Sequence, residues 1–165
     1  MPKRAVLLFA LVAVGLVLAA LIVWKGAPTG PAPQVSGQAQ VGGPFQLTDQ
    51  TGRAVDENLL KGKWTAVFFG FTFCPDVCPT TLQALGQAKR DLGPRGKDLQ
   101  VVLVTVDPER DTPAQLKTYL DNEAFPEGTI GLTGTPEQIA AVAKAYKTFY
   151  QKSGEGPDYL MEHSS

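Results

Sequence analysis

From Ala5 to Trp24 the chain is apolar without a break, "AVLLFALVAVGLVLAALIVW", and no later stretch repeats this. At about 1.5 Å per residue a helix over this run would be roughly 30 Å long, the thickness of a bilayer core. Lys3 and Arg4 precede it and only Lys25 follows closely, so the N-terminus is expected on the cytoplasmic side. Trp24 then falls where an interfacial aromatic belongs. The run exceeds the apolar region of a cleaved signal peptide, and no cysteine near its end offers a lipoprotein anchor. Residues 1–25 are therefore expected to be an uncleaved signal anchor. Residues 26–40, "GAPTGPAPQVSGQAQ", carry neither charge nor apolar period and predict an extended tether reaching at most about 50 Å.

In residues 41–165 the pattern changes to short alternating segments. Phe45 and Leu47 alternate with polar residues, and "DQTG" supplies a turn before "RAV", which predicts a hairpin. "TAVFFGF" (65–71) and "LQVVLVTV" (99–106) are runs of the kind that form buried strands. Between them Leu82, Leu85, Ala88 and Leu92 recur at helical spacing, and Gly93-Pro94 is expected to stop that helix. Thr112 with Gln115 and Thr135 with Gln138 read as capping boxes, each with proline at the first helical position. The first predicts a helix burying Leu116, Tyr119 and Leu120. The second predicts one with Ile139, Val142, Ala143, Tyr146, Phe149 and Tyr150 on a single face. A short strand near 129–132 lies between them. This alternation of strand and helix predicts an α/β domain with a parallel core.

Composition narrows the function. The formal net charge is −1 and the basic residues are scattered, which argues against nucleic acid as the main partner. No G-x-x-x-x-G-K-[ST] loop and no G-x-S-x-G elbow occurs, so phosphate-loop and serine-hydrolase chemistry lack their motifs.

The chemistry concentrates in "FFGFTFCPDVCPTTL" (68–82), which holds both cysteines of the chain. With Pro79 placed at the first helical position, Cys78 becomes the N-cap, where the helix dipole would lower its thiol pKa. Cys74, one turn earlier, can present its sulfur on the same face. A disulfide across so short a loop would add only about 2 kcal/mol, which makes a structural staple a weak explanation. Redox exchange and metal ligation remain open, since the spacing has one residue more than a C-x-x-C pair. The peroxidatic pattern P-x-x-x-T-x-x-C fails for both cysteines: Phe71 and Pro75 stand where threonine is required. His163, in "DYLMEHSS", is the only histidine, and its place near the end suits a solvated tail residue. Asp107, just past a strand end, could equally neighbour a metal or form an Asp-Pro turn. Asp76 could modulate the thiols or fill its turn.

Taken together, "GGPFQLTDQTGRAV", "FFGFTFCPDVCPTTL", "VTVDPERDTPAQLKTYL", "GLTGTPEQI" and "DYLMEHS" resemble, in order and spacing, the Sco (SenC) family over about residues 42–165. The resemblance implies a thioredoxin-like fold and a copper chaperone for cytochrome c oxidase assembly. It implies Cys74, Cys78 and His163 as ligands of one copper ion, Cu(I) or Cu(II). It also implies thiol-disulfide reductase chemistry by Cys74 and Cys78 on the dinuclear copper site of oxidase subunit II. Two thiolates and an imidazole suit such an ion, whereas structural zinc would want a fourth ligand. Other periplasmic copper or thiol-redox proteins are further candidate partners. With the anchor, the expectation is a single-pass protein of a bacterial inner membrane with its domain on the periplasmic side. The competing reading is a membrane-tethered thiol-disulfide oxidoreductase that uses no metal. Members of the family continue past the histidine with a strand, its hairpin partner and a last helix, and this chain stops at Ser165. That predicts an open sheet edge beside "TAVFFGF", and His163 on a free tail.

Overall fold

The computed structural model of the protein describes residues 41–164, so the anchor and tether expected in residues 1–40 lie outside the described residues. Among those described, no helix is long and apolar enough to cross a membrane.

Two short strands, β1 (Gln46–Asp49) and β2 (Ala54–Asp56), form the expected opening hairpin. Its turn is fastened by the buried Asp49 carboxylate, which accepts from Thr51 N–H and Oγ1 and from Arg53 N–H, Nε and Nη2. The apolar runs become β3 (Trp64–Gly70) and β4 (Leu99–Thr105), which pair in parallel from Trp64↔Leu99 to Gly70↔Thr105. β4 also pairs in parallel with β5 (Ile130–Thr133), and β1 joins the far side of β5 antiparallel. The sheet is therefore mixed, in the order β2-β1-β5-β4-β3, with β3 at its edge as expected. Central β4 carries Val101, Val102, Leu103 and Val104, all buried, as an almost continuous apolar run must be when both faces of a strand are covered.

Three helices supply the cover: α1 (Val77–Asp91), α2 (Pro113–Leu120) and α3 (Pro136–Ala145). Leu82 of α1, Leu116 of α2 and Ile139 and Val142 of α3 are buried in the one core cluster. The expected inner stripe of α1 holds at Leu82 and Leu85 but not at Ala88 and Leu92, which are exposed. Gly86 instead faces inward. A Cβ there would lie 3.0 Å from the Ala124 carbonyl oxygen, so glycine lets the 124–126 segment approach the helix. Thr112 caps α2 by accepting from Gln115 N–H, but the Gln115 side chain turns away from the cap to Thr72. Thr135 and Gln138 make the full reciprocal box on α3.

Two expectations need correction here. α3 ends at Ala145, so Phe149 and Tyr150 do not continue its buried face. Lys147 adopts φ +58°, and the Lys147 and Thr148 N–H groups donate to the Lys144 and Ala143 carbonyls. This is a Schellman closure with lysine in the place glycine usually takes, which hid it from sequence reading. Tyr150 then opens β6 (Tyr150–Ser153), which pairs antiparallel with β7 (Leu160–His163). His163 is therefore a strand residue opposite Tyr150 and not a tail residue. The turn between the two strands passes through Gly154 and Gly156, both with positive φ.

Candidate metal centre

The site lies at the carboxyl end of β3. Beyond Gly70 the chain turns through Thr72–Asp76, with Cys74 N–H bonded to the Phe71 carbonyl, and enters α1 at Val77. Helix entry thus comes two residues earlier than Pro79 suggests. Asp76 holds the N-cap position without a side-chain bond to the cap, and its carboxylate accepts only from Thr80 Oγ1. Pro79 sits in the first turn, where its missing N–H leaves no intrahelical bond unmade.

Cys78, the second residue of the helix, points inward and is 0% exposed. This reverses the expectation of an acidified thiol. Burial above all, then the neighbouring Cys74 sulfur, pushes the Cys78 thiol up to about 12. The dipole of the first turn does not outweigh loss of solvation. Cys74, half-buried, accepts a hydrogen bond from Cys78 N–H at 3.4 Å, and both cysteines are free thiols. The two sulfurs do share one region, as their spacing predicted.

The third residue arrives from far along the chain. His163 Nε2 lies 3.8 Å from Cys78 Sγ, across 85 residues of sequence. Its ring stands edge-on to Phe71, with centroids 5.9 Å apart at 87°. Nδ1 lies 3.4 Å from the Ser164 carbonyl oxygen. A proton on Nδ1 shared with that carbonyl leaves the Nε2 lone pair directed at the thiols, as metal-binding imidazoles require. Among the described residues no three His, Cys, Asp or Glu side chains form a ready-made metal cluster. What the fold gathers is a close thiol–imidazole pair with a second thiol beside it.

Several supporting residues carried no signal in the sequence. Asp111 is 0% exposed, and its carboxylate accepts from Thr72 N–H at 3.0 Å, Thr72 Oγ1 at 2.6 Å and Thr105 Oγ1 at 2.6 Å. Burial raises the pKa of its carboxyl, against the pull of those three bonds. It ties the cysteine turn to the end of β4. Asp107, which the sequence did single out, does more than fill an Asp-Pro turn. It is 2% exposed, accepts from the Tyr159 hydroxyl at 2.6 Å, and pairs with Arg110. Phe73 and Val77, each next to a cysteine, are exposed.

With this geometry in hand, comparison with known proteins is specific. The SCO1/SenC family model matches residues 33–165. The Arabidopsis thaliana "Protein SCO1 homolog 1, mitochondrial" is 45% identical over 131 residues, 78% of this chain and 39% of that protein. "Protein SenC" of Rhodobacter capsulatus is 42% identical over 131 residues, 79% of this chain and 58% of that protein. The chain thus spans roughly two fifths to three fifths of the length of these relatives. The solved structure of Bradyrhizobium japonicum ScoI with copper bound superposes with a TM-score of 0.69 at 46% identity, covering 75% of this chain and 78% of that one. The α/β fold is that of these thioredoxin-like Sco structures, and the chain belongs to the SCO1/SenC family.

Proposed function

We propose that the chain is a membrane-anchored copper chaperone that carries copper on Cys74, Cys78 and His163 and hands it to the dinuclear copper site of cytochrome c oxidase subunit II. The observation that carries this reading is the approach of His163 Nε2 to 3.8 Å from Cys78 Sγ. Two donors bonded to one ion at about 2.0 and 2.3 Å lie roughly 3.5–4 Å apart, so the pair already has a spacing an ion can bridge. Cys74 supplies a second sulfur one helical turn away. Thiolate and imidazole donors select Cu(I), and three ligands leave a position through which the ion can be passed on. Relatives of known structure, the Bradyrhizobium and Arabidopsis ScoI proteins among them, hold copper.

The same two thiols support a companion role. Reduced Cys74 and Cys78 can attack a disulfide in the partner's copper site and leave as a disulfide of their own, reducing the two partner sulfurs. This is the chemistry of the metal-independent reading, which the closeness of Cys74 Sγ to Cys78 N favours but which gives His163 no task. The apolar run 5–24 and the 26–40 tether support a location beside a bacterial inner membrane, with the domain on the periplasmic side.

The test is transfer. The Cu(I)-loaded full chain is mixed with the reduced, copper-free soluble domain of an oxidase subunit II, and copper is measured on each after separation. The expected result is copper on the acceptor, with none delivered by Cys74→Ser or Cys78→Ser. A subunit domain still copper-free after prolonged incubation, while a parallel sample of its oxidised form has its disulfide reduced by the metal-free chain, would favour the oxidoreductase reading instead.

A further inference from the structure

The hairpin that brings His163 to the thiols forms a sheet of its own: β6 and β7 pair with each other and with no strand of the five-stranded sheet. Its place must be set by something other than a ladder of backbone bonds. A cleft of about 140 Å³ opens between it and the start of the 107–112 loop, lined by Val106, Asp107, Tyr150, Lys152, Tyr159 and Met161. Close packing therefore does not seal this side, and directional contacts gain importance.

Lys152 of β6 pairs with Glu109 of the loop at 3.5 Å, both partners partly exposed, and the buried contacts converge on one arginine. The Arg110 guanidinium lies 3.7 Å from the centroid of the Tyr159 ring, one residue ahead of β7, and 4.7 Å from that of Phe73, one residue ahead of Cys74. Its Nη1 donates to the Pro157 carbonyl in the hairpin turn at 3.2 Å, and its Nε donates to the Asp107 carboxylate. Asp107 in turn accepts the Tyr159 hydroxyl at 2.6 Å. The Arg110 Nη2 is buried without a hydrogen-bond partner. A flat, always-charged guanidinium can stack on two rings while its edge makes these bonds, and an ammonium cannot.

We infer that Asp107, Arg110 and Tyr159 form a clasp that positions His163 against Cys78, joining the cysteine turn to the histidine hairpin through the 107–111 loop. Asp111 anchors the other side of that joint through Thr72. The three clasp residues are positioning residues: they hold the segments that bear the ligands and touch no bound ion. The inference rests on the reading of Cys78 and His163 as ligands, and it concerns how the fold keeps them together.

The test uses the full chain in detergent micelles, labelled in histidine. With a single histidine its ring resonances are unambiguous. In the copper-free protein they should be displaced by the Phe71 ring and show through-space contact with it. Tyr159→Phe removes one hydroxyl, Arg110→Lys keeps the charge but loses the stack, and the two are also combined. Arg53→Lys serves as control, weakening an arginine–carboxylate pair on Asp49 in the β1–β2 hairpin. Expected is a partial loss of the His163–Phe71 contact in each single variant and complete loss in the double, with resonances moving to those of a solvated histidine. The Arg53 variant should leave them unchanged. In copper competition the double variant should lose affinity about 10–100-fold, as outer residues that orient a ligand do, and adding His163→Ala should cost little more. Wild-type ring resonances in the double variant, or a copper loss that adds in full to that of His163→Ala, would overturn the clasp. If Arg110→Lys fails to fold, Tyr159→Phe alone decides by the same measures. A wild-type chain that takes up no copper would overturn the proposed function, while the ring resonances still decide the clasp.

Discussion

Among single residues, Cys78 faces two opposed requirements. Its burial under the end of β3 places the sulfur beside His163, and the same burial keeps the proton on the thiol. The consequence for stability has a definite sign. The folded thiol holds its proton up to about 12, whereas an ordinary one releases it near 9.0, so above 9 the folded state binds more protons than the unfolded state. The reduced, metal-free chain should therefore lose stability as pH rises from about 9 towards 12, and denaturant unfolding of Cys78→Ala should show a shallower fall. Gly70 sets the sulfur's place. A Cβ there would stand 2.9 Å from the Phe68 ring and 3.0 Å from Cys78 Sγ, so Gly70→Ala should cost about 1–3 kcal/mol of stability in a denaturant titration. Spacing and residue type singled out Cys74 and Cys78, whereas His163 read as a tail residue and was drawn in only by the resemblance to the Sco (SenC) family. They were not enough for the sign of the Cys78 shift, which depends on whether the helix starts at Val77 or Pro79 and on which way the sulfur then points. Asp111, Arg110 and Tyr159 escaped notice because their roles depend on burial and on contacts between distant segments, such as the Tyr159 hydroxyl on Asp107 52 residues away.

At the scale of elements, the strands and helices with strong local signals formed where expected: the opening hairpin, the two apolar runs and the two threonine caps. Those without a signal did not announce themselves. Lys147 closes α3 in the left-handed region where a sequence reader looks for glycine. Lys147→Gly should relieve that strain and leave the domain more stable by about 0.5–1 kcal/mol, read as a higher thermal midpoint; a lower midpoint would mean that the lysine side chain earns its place by other contacts. β6 and β7 are short and largely polar, and they pair across a loop, so neither the period nor the burial that reveals core strands was present. The β1–β2 turn offers a pH test. Burial alone would raise the Asp49 carboxyl, but hydrogen bonds from Thr51 and Arg53 together hold it at about 2. A carboxylate depressed from 3.8 contributes stability that is complete above 3.8 and lost as pH falls towards 2. Asp49→Asn should remove part of the acid dependence of unfolding over that window.

For the whole molecule, the fold joins two features that the sequence keeps apart: a cysteine pair on one turn, and a histidine that reads as a tail. The five-stranded sheet supplies the turn, the separate hairpin supplies the imidazole, and the 107–111 loop touches both. With the 5–24 run as the proposed anchor, the intact chain should fractionate with membranes and expose its domain to protease from the periplasmic side only. The most direct test of the central claim is X-ray absorption at the copper edge on the full chain loaded with one equivalent of Cu(I). The expected first shell is two sulfurs and one nitrogen, with the nitrogen lost in His163→Ala and a sulfur lost in Cys74→Ser or Cys78→Ser. A shell unchanged by His163→Ala, or one without sulfur, would contradict it.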